Sequence, residues 1–351
     1  MSLSSLALCA VAAEALLRLW NPLDLDWRMV AGDRQRVTAL APDFDGSFRR
    51  IRVKTNQFGH RVPTSWRKEY GQDKPPGVTR VLIVGDSFTF GDEWPAEASF
   101  AEQLQQRLDP TFRAVQVLNF GVLGYGPVQE WRYLREEAMR FHPDVVIAQF
   151  ADANDLIPFA PGSPLGWLRR HSYLHWFLAD LWYHGRASAL VRSIEGRGMA
   201  REPDHWLDAA RHAASRYYQA RLSVVQRDAA GWRQALESYQ RMAAYLAGQH
   251  VAFVIVVTVP NWDLACEAWA CRGATTPYRE LLHDGEEFYA ALAQRLGALT
   301  PVYLSLDQTF APLTIEELYD GPTWHYGPKK GRLIAEHLFV ALQRVLVLRQ
   351  H

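Results

Sequence analysis

The chain has 351 residues, and hydrophobic residues make up 48% of them, which is enough to build a large core and excludes a disordered protein. The 38 lysines and arginines are balanced by 38 aspartates and glutamates, so the formal net charge is zero and no nucleic-acid partner is expected. No Cys-x-x-Cys pair and no His-Glu-x-x-His motif occurs, so the sequence gives no support for a metal site or a cofactor. The length suits one elaborated domain or two small ones.

The first segment, residues 3–20, is mostly apolar but contains Glu14 and Arg18. A helix that spans a membrane needs about 20 apolar residues, so this segment is marginal. No basic residue precedes it, in contrast to a secretory signal, and arginines follow at positions 18, 28, 34 and 36. We predict a hydrophobic anchor or signal-like helix, and a buried or surface amphipathic helix is the alternative.

An accessory segment follows at residues 21–78. It is polar, and we predict that it is irregular, with one short strand near 47–54. Residues 72–77 include two prolines and are predicted to be a linker. The third predicted unit, residues 79–351, begins directly after this linker.

From residue 79 onwards, strand-like and helix-like patterns alternate. Short apolar runs predict strands, and longer amphipathic stretches predict helices. The predicted strands are 79–85, 114–120, 144–150, 251–259 and 301–306, and the predicted helices are 97–108, 127–141, 231–248, 279–297 and 328–347. This alternation predicts parallel β-α-β units and hence an α/β fold, a three-layer α/β/α sandwich with a mainly parallel sheet.

The alternation is interrupted at residues 156–229, which are rich in Trp, Leu, Arg and His. We predict a helical insertion beside the active site. It is either a lid or acceptor platform, or a helical embellishment that packs on the core. The basic pair Arg169 and Arg170, flanked by aromatic residues, would also suit a lipid surface.

The run Val81–Val84 predicts a buried parallel strand, and it ends at Gly85-Asp86-Ser87. Ser87 is therefore expected at the carboxyl end of the strand, which is the edge where open α/β sheets bind ligands. A serine at this edge is a candidate nucleophile if a base and oxyanion donors come from elsewhere. The alternative is that Asp86 or Ser87 only caps the next helix.

Three other strand ends and loops carry polar groups. Gly124 follows the predicted strand 114–120, and its amide could face an oxyanion, because glycine permits close approach of the backbone. Asn154 follows the strand 144–150 and could donate its side-chain amide to the same oxyanion. A plain glycine-rich turn and an Asx-turn are the respective alternatives. Asp320 and His325 lie five positions apart in a loop before the last predicted helix.

These four segments, in this order, resemble the SGNH (GDSL-like) hydrolase superfamily over most of residues 79–347. The first three blocks are Gly85-Asp86-Ser87-Phe88, Asn119-Phe-Gly121-Val-Leu-Gly124 and Asp152-Ala-Asn154-Asp155. The third block lacks the glycine that is usual in the family. In the last block the family places an aspartate three residues before the histidine, where this chain has Pro322, and Asp320 is the nearest carboxylate.

The resemblance implies the flavodoxin-like SGNH hydrolase fold and a serine esterase that cleaves an O-acyl ester. Ser87 would attack the ester carbonyl, His325 would take its proton, and Asp320 would hold the imidazole. The amides of Ser87 and Gly124 and the side chain of Asn154 would form the oxyanion hole. The substrate is expected to be a small-molecule or carbohydrate ester, and an acetyl ester of a carbohydrate is favoured because the 13 tryptophans could stack on sugar rings, although they could equally fill the core.

Two other functions stay open at this point. A polysaccharide O-acetyltransferase would use the same serine and pass the acetyl group to a sugar hydroxyl instead of water. A catalytically silent binding protein on the same fold is favoured by the irregular spacing of Asp320 and His325. This last alternative predicts that His325 lies beyond hydrogen-bond reach of Ser87.

Many members of the superfamily begin with one hydrophobic helix that ends in a similar Glu-x-x-x-Arg pattern. The resemblance therefore implies a membrane-anchored protein on the extracytoplasmic (periplasmic) side, with membrane association through residues 3–20. Cys266 and Cys271 would suit a local disulfide in an oxidising compartment, or two free thiols.

Overall fold

The structure is a computed structural model, and it describes most of the chain. The described residues are 2–33, 37–64, 70–110, 114–159, 172–178, 204–261, 275–321 and 323–350. The pairs Cys266 and Cys271, and Arg169 and Arg170, lie outside the described residues. The predictions that concern these four residues therefore stay predictions.

The described strands fall into two groups along the chain. Five lie in the accessory segment: β1 (Val30–Asp33), β2 (Val37–Leu40), β3 (Asp45–Phe48), β4 (Ile51–Thr55) and β5 (Arg61–Val62). Five more form the central sheet: β6 (Thr79–Gly85), β7 (Val115–Gly121), β8 (Val145–Phe150), β9 (Ala252–Val257) and β10 (Val302–Ser305). The five predicted strands of the sheet are thus confirmed to within two residues at each end.

Three of the five predicted helices begin and end within three residues of the described ones, whereas the predicted helix 127–141 ends at Glu136 and the predicted helix 279–297 is interrupted after Leu282. The described helices are α1 (Leu3–Trp20), α2 (Ser87–Phe90), α3 (Phe100–Leu108), α4 (Pro127–Glu136), α5 (Asp152–Asp155), α6 (Asp204–Gln226), α7 (Ala230–Gly248), α8 (Arg279–Leu282), α9 (Glu286–Leu296), α10 (Leu306–Phe310), α11 (Ile315–Leu318) and α12 (Pro328–Gln350). Residues 173–178 are helical as well, so the described parts of the predicted insertion are largely helix.

The central sheet has the order β10-β9-β8-β6-β7, and all neighbouring strands run parallel. Counted from β6 as the first strand, this is the order 2-1-3-4-5, which is the flavodoxin-like arrangement. The chain reverses its direction across the sheet at β6, between β7 and β8. Ligands bind at such a switch point, beyond the carboxyl ends of the strands.

Helices cover both faces of the sheet. Because β-α-β crossovers are right-handed, the direction in which the chain moves along the sheet decides which face a crossover covers. The crossover from β6 to β7 lies on one face. The crossovers from β7 through β10 run in the opposite direction along the sheet and lie on the other face. The contacts agree, since α3 packs on α12, whereas α4 packs on α7 and α7 packs on α9. The predicted three-layer α/β/α sandwich is confirmed.

Strand β6 forms the centre of the core. Val81, Leu82, Ile83 and Val84 are each 0% exposed, because β6 has a parallel neighbour on each side and helices on both faces. Burying each of these side chains stabilises the fold by roughly 1.5–3 kcal/mol. The loop that begins at Gly85 is therefore attached to a fully buried strand of the sheet.

The accessory segment corrects a prediction, because it is folded where the sequence indicated irregular structure. β1 pairs with β2, and β3, β4 and β5 form a three-stranded antiparallel sheet. Phe48 and Val53 enter a second apolar core that also contains Phe90, Val122 and Tyr125. These strands have two to five residues, too few for a clear alternating pattern. The accessory segment thus packs against the loops that follow β6 and β7.

Helix α1 packs on the insertion through its two charged residues. Glu14 accepts hydrogen bonds from Ser172 Oγ at 2.8 Å and from the backbone amides of Tyr173 and Leu174 at 3.1 and 2.8 Å. Arg18 pairs with Glu14 at 2.8 Å and lies over the ring of Tyr173. The charges that interrupt the apolar segment therefore connect this helix to the insertion.

Several apolar side chains of α1 are exposed, among them Leu8, Leu16 and Trp20. In the part of the chain that the structure describes, no helix combines the length and the apolar character needed to cross a membrane. Membrane association through residues 3–20 and an extracytoplasmic location stay predictions.

Candidate active site

Ser87 lies directly after β6, in the first turn of α2. Asp86 precedes it and caps α2, because its carboxylate accepts the Phe88 amide at 2.8 Å. Position 85 has room only for glycine, since a Cβ there would lie 2.2 Å from Thr89 Oγ1. Ser87 itself is partly exposed, so its hydroxyl is accessible from solvent. A capping role for Asp86 and a reactive role for Ser87 are therefore compatible.

His325 lies in the loop before α12 and reaches Ser87 across the sheet edge. Its Nε2 is 2.8 Å from Ser87 Oγ, a hydrogen-bonding distance. The loop is held by Asn261, whose Nδ2 donates to the carbonyl oxygens of Thr323 at 2.7 Å and of His325 at 3.3 Å. Trp94 donates from Nε1 to the same His325 carbonyl at 3.3 Å. The structure thus brings the predicted nucleophile and the predicted base into contact.

The carboxylate on the other side of the imidazole belongs to Glu93. Its Oε2 lies 3.0 Å from His325 Nδ1 and also accepts the backbone amides of Trp324 at 2.8 Å and of His325 at 3.2 Å. Glu93 therefore orients both the ring and the backbone of His325. This arrangement favours the tautomer with a proton on Nδ1 and a lone pair on Nε2 towards Ser87.

The prediction that Asp320 holds the imidazole is wrong. The Asp320 carboxylate accepts the backbone amides of Lys329 at 2.9 Å and of Lys330 at 3.2 Å, in the first turn of α12. Amides at a helix N-terminus lack partners within the helix and attract negative charge. The position of Asp320 near His325 in the chain therefore reflects the start of a helix.

Burial and charge act in opposite directions on the imidazole and its carboxylate partner. Burial acts to raise the pKa of Glu93, but the hydrogen bond and charge of His325 and the charge of Arg49 outweigh it and hold that pKa at about 2. Burial acts to lower the pKa of His325, but the hydrogen bond to Glu93 and the charges of Asp92 and Glu93 outweigh it, so this pKa is raised. Glu93 is an anion at neutral pH and stabilises a protonated imidazole.

Glu93, Asp92 and Arg49 were missed by the sequence analysis. Arg49 Nη1 lies 2.6 Å from Asp92 Oδ2, and Arg49 Nη2 lies 2.8 Å from Glu93 Oε1. The two acidic residues follow Gly91 at the end of the first motif, so a pair of carboxylates close to Ser87 was a signal that could have found them. Arg49 carries no comparable signal, because it is one arginine in a short hairpin.

Gly124 and Asn154 follow β7 and β8, the two neighbours of β6 in the sheet. Asn154 donates from Nδ2 to Asp86 Oδ2 at 2.6 Å. A side-chain amide nitrogen has two hydrogens, so the second N–H can serve a ligand. Gly124 is exposed and has a φ of 71°, a region that favours glycine. Both residues lie at the predicted edge, and their role as oxyanion donors stays a prediction.

The arrangement can transfer a proton from an alcohol to an imidazole that a carboxylate orients. This is the combination that activates a serine as a nucleophile in serine triads. Among the residues described, no group of His, Cys, Asp and Glu is arranged to hold a metal ion.

The chain is similar to solved structures of lipases and esterases. A lipase/acylhydrolase from Enterococcus faecalis is 11% identical, and the match covers 76% of this chain and 97% of that protein with a TM-score of 0.42. A two-domain esterase active on acetylated mannans is 12% identical over 76% of this chain and 49% of that protein, with a TM-score of 0.39. An acetyl xylan esterase is 11% identical over 75% of this chain and 100% of that protein, with a TM-score of 0.36. No protein-family model and no curated protein sequence matches the chain.

At such identities, and with TM-scores below 0.5, these likenesses carry no argument about reaction or substrate. The chemistry is therefore inferred from the geometry of the site. The strand order is the flavodoxin-like order that the sequence analysis predicted, and the residues of the motif blocks lie at one edge of the sheet.

Proposed function

We propose that the protein is a serine esterase of the SGNH type, which cleaves an O-acyl ester through an acyl-enzyme on Ser87. The observation that carries the proposal is the path of hydrogen bonds from Glu93 to His325 at 3.0 Å and from His325 to Ser87 at 2.8 Å. The alternative function, a catalytically silent binding protein, required His325 to lie beyond hydrogen-bond reach of Ser87. The second of these distances contradicts that prediction.

In the acylation step, Ser87 Oγ attacks the ester carbonyl carbon while its proton moves to His325 Nε2. Glu93 accepts the Nδ1 hydrogen bond and stabilises the imidazolium that forms. The carbonyl oxygen becomes an oxyanion, which the amides of Ser87 and Gly124 and the side chain of Asn154 would bind. When the C–O bond of the ester breaks, His325 returns the proton to the leaving alcohol, and the acyl group stays on Ser87.

In the deacylation step, an acceptor hydroxyl takes the place of the leaving alcohol. His325 Nε2 removes a proton from this acceptor, which attacks the acyl-enzyme, and Ser87 is released with the proton. Water as the acceptor gives hydrolysis, and a sugar hydroxyl gives acyl transfer. The same residues serve both reactions, so the acceptor decides between an esterase and a polysaccharide O-acetyltransferase.

An acetyl ester of a carbohydrate is the substrate class we favour. Trp324 precedes His325 and is 38% exposed, although most large apolar side chains of the sheet and its helices are buried. An exposed indole ring next to His325 in the chain offers a flat apolar face for a ligand. This supports a ring-shaped substrate, such as a sugar, on the side of His325.

The proposal is tested by trapping the nucleophile with a fluorophosphonate and locating the adduct by mass spectrometry. We expect one adduct, in the peptide that contains Ser87, and a much slower reaction in His325→Ala, which lacks the base. An adduct of equal yield in Ser87→Ala would remove this serine from the mechanism. Supplying an acetylated sugar together with an unacetylated acceptor then separates the two reactions, because free acetate indicates an esterase and a newly acetylated acceptor indicates a transferase.

Asn154→Ala is expected to lower kcat by roughly 10²–10³-fold and to change KM by much less, because the donor acts on the oxyanion of the transition state. Steady-state kinetics with p-nitrophenyl acetate measure both constants, and the melting temperature reports on the loss of the contact with Asp86. A loss of activity that comes entirely from KM would contradict the assignment of Asn154 to the oxyanion hole.

A further inference from the structure

The accessory segment reaches the carboxylate that orients the catalytic histidine. Arg49 lies at the turn between β3 and β4, and its side chain is 17% exposed. Its two terminal nitrogens bind two different carboxylates, Asp92 at 2.6 Å and Glu93 at 2.8 Å. The side chains of Asp92 and Glu93 are 4% and 15% exposed, so both ion pairs are shielded from solvent. One oxygen of Glu93 thus binds Arg49, and the other binds His325.

The backbone of Glu93 is in an uncommon conformation, with a φ of 66°. The positive φ of Arg49, 52°, belongs to the two-residue turn between β3 and β4, where such values are usual. For a residue other than glycine, the left-handed region is sterically disfavoured. Such a conformation persists only where the surrounding contacts hold it. For Glu93 these contacts come from Arg49 and from the loop of His325.

A second arginine of the accessory segment holds the backbone of the same loop. Arg61, in β5, is buried and donates to the carbonyl oxygens of Phe90 at 2.7 Å, of Trp94 at 2.6 Å and of Gly91. Burial lowers the pKa of Arg61 to about 10, so the guanidinium stays charged at neutral pH. The carbonyl groups that it binds lie on both sides of Glu93 in the chain. The accessory sheet therefore fixes the loop at its backbone through Arg61 and at its carboxylate through Arg49.

We propose that Arg49 is a positioning residue that holds Glu93 in the orientation needed to bind His325. This inference rests on the proposed function, because Glu93 is the acid of the same triad. A guanidinium presents its N–H groups in a rigid planar fork, so one side chain can fix two carboxylates at once. Without it, the neighbouring charges of Asp92 and Glu93 repel each other, and the Glu93 side chain can rotate away from the imidazole. Arg49, at the turn between β3 and β4, thereby supports the catalytic residues from outside the central sheet.

The kinetic test is a double-mutant cycle in the full chain with p-nitrophenyl acetate. Arg49→Gln is expected to lower kcat by roughly 10–100-fold with little change in KM, since a small misplacement of a catalytic group has effects of this size. Arg49→Lys should lie between the wild type and Arg49→Gln, because an ammonium lacks the planar fork. In the background of Glu93→Gln, the same Arg49→Gln change should have almost no further effect, because Arg49 acts through Glu93.

The matched control is Arg52→Gln. Arg52 lies in β4 of the same sheet and pairs with Asp45 at 2.9 Å, but the two side chains are 65% and 45% exposed. An exposed pair of this kind contributes little to stability, so Arg52→Gln should keep the kcat and melting temperature of the wild type. Full kcat in Arg49→Gln would overturn the proposal. The same fold loss with and without Glu93 would also overturn it, since that result indicates a merely structural role.

A measurement without substrate separates this inference from the proposed esterase activity. The hydrogen bond between His325 Nδ1 and Glu93 is expected to give a strongly downfield proton resonance, which His325→Gln identifies by its loss. The resonance should be present in the wild type and in Arg52→Gln, and lost or shifted upfield in Arg49→Gln. If the resonance is unchanged in Arg49→Gln, Glu93 does not need Arg49 and the proposal fails, whatever the activity of the protein. If the resonance behaves as expected but no ester is cleaved, the proposed function fails and the positioning role stands.

Discussion

Replacement of Glu93 by glutamine is expected to lower kcat by roughly 10³–10⁴-fold and to leave the protein folded. Glutamine has nearly the same shape, but it carries no charge to stabilise an imidazolium, and its NH₂ group can face Nδ1 and favour the wrong tautomer of His325. In serine triads a neutral amide in place of the carboxylate costs about 10⁴ in kcat. Steady-state hydrolysis of p-nitrophenyl acetate measures the loss, and far-ultraviolet circular dichroism checks the fold.

The pH profile of kcat/KM gives an independent check on the same residue. His325 must be neutral to act as a base, so activity falls as pH drops through the pKa of its imidazole. In the wild type, burial acts to lower this pKa but Glu93 and Asp92 raise it, so the acid limb should lie above the ordinary imidazole value. In Glu93→Gln, the carboxylate no longer offsets the effect of burial, so the pKa of His325 should fall and the acid limb should move to lower pH. An acid limb at the same pH in Glu93→Gln as in the wild type would show that Glu93 does not determine the pKa of His325.

Asp320→Asn is the matched control, because it changes the carboxylate that sequence spacing favoured. Asn keeps one oxygen for a backbone amide at the start of α12 but presents an NH₂ group to the other, so we expect a folded protein with a somewhat lower melting temperature. The kcat should stay within a few-fold of the wild type. If Asp320→Asn instead loses activity as Glu93→Gln is expected to, Asp320 and not Glu93 is the acid of the triad.

The contrast between Glu93 and Asp320 shows why a triad acid is hard to find from sequence. Glu93 and His325 are separated by 232 positions, and nothing in the local pattern of either loop indicates that they meet. Asp320 is close to His325 in the chain, but its carboxylate binds the backbone amides at the N-terminus of α12 instead. Closeness in sequence is therefore a weak guide when a helix begins shortly after the two residues.

Ser87 could be predicted from a local rule, whereas His325 was predicted from the resemblance of its block to the superfamily. Ser87 ends a run of buried β-branched and aliphatic residues, and the carboxyl ends of parallel strands meet at one edge of the sheet. The same rule predicts Gly124 and Asn154 after the neighbouring strands. The accessory sheet follows no such rule, because strands of two to five residues depend on tertiary packing, here around Phe48 and Val53. Arg49 could not be recognised before that packing was known.

Ser87→Ala is expected to have the largest effect of any single change, a loss of roughly 10⁴–10⁶-fold in kcat, as for other serine nucleophiles that act in a triad. Without the hydroxyl no acyl-enzyme can form. Only the oxyanion donors and the binding of the substrate then still accelerate the reaction. Ser99→Ala is the matched control. Ser99 caps α3 and accepts the Glu102 amide at 3.3 Å, so its loss should cost about 1 kcal/mol of stability and leave kcat unchanged.

The double variant Ser87→Ala/His325→Ala tests whether the two residues act as one unit. The 2.8 Å contact implies that His325 acts on the substrate through the Ser87 proton, so the imidazole has no proton to take once the hydroxyl is absent. The double variant should therefore be no slower than Ser87→Ala alone, because residues that share one step show strongly non-additive losses. If the two losses multiply instead, His325 contributes independently of Ser87. The imidazole would then activate water directly, and hydrolysis would proceed without an acyl-enzyme.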